Sequence, residues 1–224
     1  MNRPSAEVLS SSTSAYAASA QRVLRNTYLL LSVTLLFSAA VSWSVISFDL
    51  PRMNPWLMLL GYFGILFGVK RLENSAWGVL AVFALTGWLG YTLGGIVEMY
   101  LRLPQGAGLV MQALGLTGLT FVGLSAYVVT TRRDFSFMGN FLALGAIAAF
   151  LLSLGAFFFH WSAGSLVASG LFVLISGGMI LWQTSAIING GERNYISATV
   201  TLYISLYNLF LSLLQLLGFA SADD

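Results

Sequence analysis

Seven runs of apolar residues, each long enough to cross a bilayer as a helix, constrain this chain more than any other feature. About 30 Å of hydrocarbon takes roughly 20 helical residues, and backbone polar groups inside it must be satisfied within the span itself. The runs lie near 27–47, 55–71, 76–99, 107–130, 137–159, 164–188 and 195–217 of the 224 residues. Only 8% of residues are charged and the mean hydropathy is +0.84, far from the soluble range of about 25% charged. The expectation is an all-α membrane protein, a seven-transmembrane-helix bundle with short connections and antiparallel neighbours. The second run is the weakest, being short and relying on Lys70 and Arg71 to snorkel at its end. Asn54-Pro55 marks the turn before it.

Residues 1–26, rich in Ser and Ala, lack the apolar core of a signal peptide. They read as a flexible tail that becomes helical near Gln21 to Arg25. The domain plan is thus tail 1–26, membrane domain 27–217 and a short C-terminal tail 218–224, with no separate soluble domain. Lys and Arg collect in cytoplasmic loops. The tail and the second, fourth and sixth loops hold Arg3, Arg22, Arg25, Lys70, Arg71, Arg132, Arg133 and Arg193, whereas the other side holds Arg52 and Arg102. The N-terminus is therefore expected in the cytoplasm and the C-terminus outside.

Little here can do chemistry. The scattered basic residues form no patch that could follow a phosphate backbone, so no nucleic-acid partner is expected. Zero cysteines and one histidine leave no set of metal ligands, and no metal or cofactor is expected. Ser125 and His160 are the one pairing that a serine nucleophile could use, but no third residue orients the imidazole, and packing and an interfacial belt beside Trp161 account for them. No catalytic residues are expected. Glu98 lies in the last turn of its helix with Arg102 four residues on, which reads as an interfacial ion pair.

Two patterns organise the interior. GILFG (Gly64, Gly68), GYTLG (Gly90, Gly94) and the glycines 115, 118 and 123 allow close helix approach, within the bundle or between copies. In the last span Ser197, Thr201, Ser205, Asn208, Ser212 and Gln215 recur at helical spacing as one polar stripe. Ser169, Ser176 and Gln183 repeat every seven residues in the sixth span, with Thr184 beside Gln183, which could hydrogen-bond Thr201 or Ser205. The double stripe reads as interhelical glue or as a narrow hydrated path. Gly190-Gly191 and Asn194 should end the sixth helix and cap the seventh.

The runs QRVLRNTYLLLSVTLLFSA, FALTGWLGYTLGGIV, SAYVVTTRRDFSFMGNFL and ILWQTSAIINGGERNYISATVTLYISLYNLFLSLLQLLGFAS closely resemble the bacterial YccA-like branch of the Bax inhibitor-1 (transmembrane Bax inhibitor motif) family, over about Gln21 to Ser221. The resemblance implies a multi-pass protein of the bacterial inner membrane with a central last helix and a periplasmic C-terminus. It also implies a modulator of the membrane-anchored AAA+ protease FtsH, associated with that complex and its prohibitin-like companions, and itself a slow substrate. Ion-conducting members carry one aspartate in the sixth helix and one in the seventh; here Gln183 and Ser205 stand at those positions, and Leu93-Gly94-Gly95 replaces a Leu-Gly-Pro. Neither side chain titrates near neutral pH or offers a cation formal charge. The alternative function, a calcium or proton leak, lacks both gating acids.

Overall fold

A computed structural model describes residues 6–221, with side chains from Ala18 onward. Residues 1–5 and 222–224, parts of the two expected tails, lie outside it. The elements are α1 (Ala6–Ser47), α2 (Pro55–Leu72), α3 (Trp77–Leu101), α4 (Gly106–Thr131), a 3-10 turn (Ser136–Met138), α5 (Gly139–Phe158), α6 (Ser162–Ile188) and α7 (Tyr195–Ala220). Among the described residues, seven helices are long and apolar enough to cross a membrane. Their ends fall within a few residues of the expected runs, with one difference at the start. Helix α1 is continuous from Ala6, over residues read in the sequence as a tail; no Gly or Pro interrupts it before Ser47.

Local chemistry sets the boundaries. Asn54 Oδ1 accepts the Trp56 N–H at 2.9 Å and Pro55 fills the first position of α2, so the short second span has both a cap and a pre-set start. Gln105 takes a left-handed φ of 63° before α4, and a Cβ on Gly106 would lie 1.8 Å from the Tyr100 carbonyl oxygen. Only glycine closes that turn. At the other tight connection α6 ends in Ile188, Gly190 sits at φ 77°, and Asn194 Oδ1 accepts from the N–H groups of Ile196 (2.9 Å) and Ser197 (3.3 Å). The sixth and seventh helices form the hairpin that the glycine pair predicts.

Helix α7 is central. It packs against α1, α3, α4 and α6, and no residue between Asn194 and Gly218 is exposed. One cluster of buried side chains, including Leu31, Val82, Leu85, Ile180, Leu202 and Leu209, gathers round its first half, and a second, Val97, Leu109, Ala113, Phe210 and Leu214, round its second. The outer faces carry Met111, Leu119, Phe141 and Leu174, all largely exposed. In lipid such faces need no partner.

Of the glycine patterns, one is internal. A Cβ on Gly90 would lie 2.6 Å from the Ser38 carbonyl oxygen and one on Gly94 2.7 Å from Val45 Cβ, so GYTLG brings α3 onto α1. Gly64, Gly68, Gly115, Gly118 and Gly123 meet nothing within 4 Å.

Candidate functional site

The polar stripe of α7 divides in two. Ser197, Thr201, Ser205 and Asn208 line a cleft of about 640 Å3, together with Ser176 of α6. Its walls are apolar, with Phe63, Leu66 and Phe67 from α2, Ala146 from α5 and Phe172, Ile175 and Met179 from α6; Lys70 and Glu73 stand at one end. A second cavity of about 400 Å3 continues it past Phe63, Ala146, Phe172 and Asn208 to Tyr62, Phe150 and Tyr207. The remaining two stripe residues turn away from it. Ser212 is buried, and Gln215 Oε1 accepts from Ser169 Oγ at 2.7 Å, the link between the stripes of α6 and α7.

Gln183 and Thr184 do not line this cleft, and the expected bond from Gln183 to Thr201 or Ser205 is not formed. Ser205 Oγ donates to the Thr201 carbonyl oxygen at 2.8 Å and Thr201 Oγ1 to that of Ser197 at 3.1 Å. A helical Ser or Thr can bond the carbonyl four residues back, and these two do so in place of a neighbour. Gln183 is 1% exposed and its Nε2 has no partner among the described residues; nor have Thr184 Oγ1, Ser125 Oγ, Thr27 Oγ1 or Tyr28 OH. Gln183 and Ser205 therefore do not meet one another through a hydrogen bond.

Beside the Ser169–Gln215 link, the ties that join α7 to its neighbours come from residues outside the stripe. Tyr203 OH donates to Ser38 Oγ of α1 at 2.5 Å, and Tyr207 OH shares a hydrogen bond with Thr92 Oγ1 of α3 at 2.8 Å. Thr199 Oγ1 reaches the Thr27 carbonyl oxygen at 3.3 Å, and Asn194 Nδ2 donates to the Glu73 carbonyl oxygen at 2.8 Å and to Asn74 Oδ1 at 3.0 Å. The tyrosines sit four residues apart in LYISLYN, and that spacing was the available signal.

Ser125 is buried in α4, six residues before its end at Thr131, whereas exposed His160 follows α5, which runs back across the bundle. The two therefore sit toward opposite faces. Glu98 and Arg102 form the exposed ion pair that their spacing suggests, and its hydrogen bond holds the guanidinium above its ordinary range. Among the described residues no three His, Cys, Asp or Glu side chains converge as metal ligands. A polar knot ties the α4–α5 connection to α6: buried Ser185 Oγ accepts from the Phe135 N–H at 2.9 Å and donates to the Arg133 carbonyl oxygen at 3.2 Å. Within that connection Asp134 accepts from Ser136, from both N–H and hydroxyl, which lowers its pKa below the usual carboxylate value.

The sequence also aligns with known proteins over almost its whole length. A family model described as inhibitor of apoptosis-promoting Bax1 matches residues 20–222. A protein of Pseudomonas aeruginosa of uncharacterised role is 52% identical over 202 residues, 90% of this chain and 91% of that one. The Escherichia coli protein named modulator of FtsH protease YccA is 47% identical over 205 residues, 92% of this chain and 93% of its own. A Vibrio cholerae membrane protein is 41% identical over 204 residues, 91% and 92% of the two chains.

Proposed function

The chain is a multi-pass inner-membrane protein that belongs to the Bax inhibitor-1 family, and from that premise we propose that it binds the membrane-anchored protease FtsH and modulates its proteolysis. The observation that carries this is the 47% identity, over 92% of the chain, to the E. coli modulator of that protease. The fold supports a regulatory role. Its central helix is held on several sides by side-chain ties, which suits a body that resists extraction from the membrane.

In the mechanism we favour, residues 1–26 lie on the cytoplasmic side and offer an ATP-driven protease a handle ahead of the first span. The bundle behind them unfolds slowly, so the chain occupies the machine as a slow substrate and slows its work on others. FtsH, with prohibitin-like companions of its complex, is then the partner, and the bilayer the setting. Affinity purification from native membranes should recover FtsH above background. Deleting residues 2–20 should lengthen the lifetime of the chain in cells with active protease; unchanged turnover removes the handle mechanism.

The ion-leak reading draws on the polar cleft, yet Ser205 on its floor does not titrate, Gln183 lies outside it, and Lys70 and Glu73 at its end are paired with one another. Vesicles reconstituted with this chain should show no calcium or proton flux above empty vesicles. Flux that disappears on replacing Ser205 and Asn208 with Leu would reverse the order of the two readings.

A further inference from the structure

The cleft over the α7 stripe is one part of a longer groove. The cavity past Asn208 leads to Phe150, and from there a third, of about 230 Å3, runs between Trp56 and Leu59 of α2 and Leu154, Phe157 and Phe158 of α5. The groove follows α2 along its length, from Glu73 near one face to Pro55 near the other. Its walls are phenylalanines and aliphatics, and its floor near the middle is polar.

Asn208 fixes what this groove can accept. It is the fourteenth of the 26 residues of α7, about 20 Å from one end of the helix and 18 Å from the other at 1.5 Å per residue. Its side chain lines both of the larger cavities and makes no hydrogen bond to any described residue. An unpaired amide at the middle of a bilayer is costly, and a lipid chain brings no hydrogen-bonding group to that depth.

We propose that this groove docks one transmembrane helix of another protein, which brings a hydrogen-bonding side chain to Asn208. The inference rests on the partner reading above for the identity of that helix and on the groove alone for its existence. A photo-crosslinking residue placed at Phe67, 74% exposed on the groove wall, should yield a protein adduct of discrete mass in native membranes. The same residue at Leu119, 74% exposed on α4, should yield lipid adducts only. Asn208→Leu should lower the Phe67 adduct about threefold to twentyfold, the range of one interhelical hydrogen bond in a membrane, while the melting point in detergent is retained.

Lipid adducts alone at Phe67, an adduct with a second copy of this chain, or an adduct indifferent to Asn208→Leu would each overturn the proposal. A discrete adduct with a membrane protein other than FtsH supports the groove and counts against the partner reading. FtsH recovered by affinity purification with only lipid at Phe67 supports the partner reading and removes the groove.

Discussion

Every polar atom of the Asn194 side chain is in use. Its oxygen caps α7 and its nitrogen holds the α2–α3 turn, through Glu73 and Asn74. Asn194→Ala should therefore cost more than an ordinary cap, about 1–3 kcal/mol, because it also strands a carbonyl oxygen of the neighbouring turn. Asn194→Asp keeps the cap and loses the donor, and should fall between the two in thermal unfolding in detergent. Tyr203→Phe removes only the hydroxyl that meets Ser38, and should cost about 0.6 to 1.7 kcal/mol in the same assay. Asp134 gives a pH dependence whose sign is fixed by its hydrogen bonds to Ser136. Its pKa in the folded protein is depressed, so its stabilising effect is complete above the unfolded carboxylate value and is lost as pH falls through the lowered one. The protection factors of residues 135–138, taken against the intrinsic exchange rate at each pH, should fall on acidification in that window, and Asp134→Ala should abolish the pH response.

Between elements, the glycines sort into two kinds, and substitution should separate them. Gly90→Ala sets a methyl group against the backbone of α1 at Ser38, where nothing flexible can yield; about 1–3 kcal/mol should be lost as the two helices part. Gly115→Ala faces open space, and should be neutral or stabilising by up to about 1 kcal/mol. Thermal unfolding of the two variants side by side checks both signs. The same contrast explains what could be read from sequence. Seven helices and their ends were legible because bilayer thickness, Asn and Pro caps and Gly turns act locally. The α7 stripe was legible as a stripe, but not as a groove floor, because the groove exists only where α2 and α5, far apart in sequence, come alongside α7. The stripe read as glue or as a hydrated path, yet the helix itself satisfies the hydroxyls of Thr201 and Ser205, only Gln215 ties it to α6, and further ties fell to Tyr203 and Tyr207, whose rings look apolar in any periodicity count. The open GILFG ridge could not be told from the closed GYTLG one, since both patterns are identical in kind and differ only in what faces them.

At the scale of the whole molecule, the distribution of charge decides which way the bundle lies. The face that holds the start of the first span and the α2–α3, α4–α5 and α6–α7 connections carries Arg22, Arg25, Lys70, Arg71, Arg132, Arg133 and Arg193. Its described acids are Glu73, Asp134 and Glu192. The opposite face sets Arg52 and Arg102 against Asp49 and Glu98, one of these pairs closed into an ion pair. Positive charge in short loops is retained in the cytoplasm, so the first face should be cytoplasmic. The chain has no cysteine, so single cysteines report on their own positions without a background. Arg133→Cys should react with a membrane-impermeant maleimide in inverted vesicles and not in intact cells with a permeabilised outer membrane; Arg52→Cys should do the reverse. Both arginines are exposed in connections outside the spans, so neither change disturbs packing. The outcome bears on mechanism as well as topology. Reversed labelling would place residues 1–26 beyond the reach of a cytoplasmic ATP-driven protease and remove the handle, whereas the groove, which lies within the bilayer and is indifferent to its direction, would keep its own test.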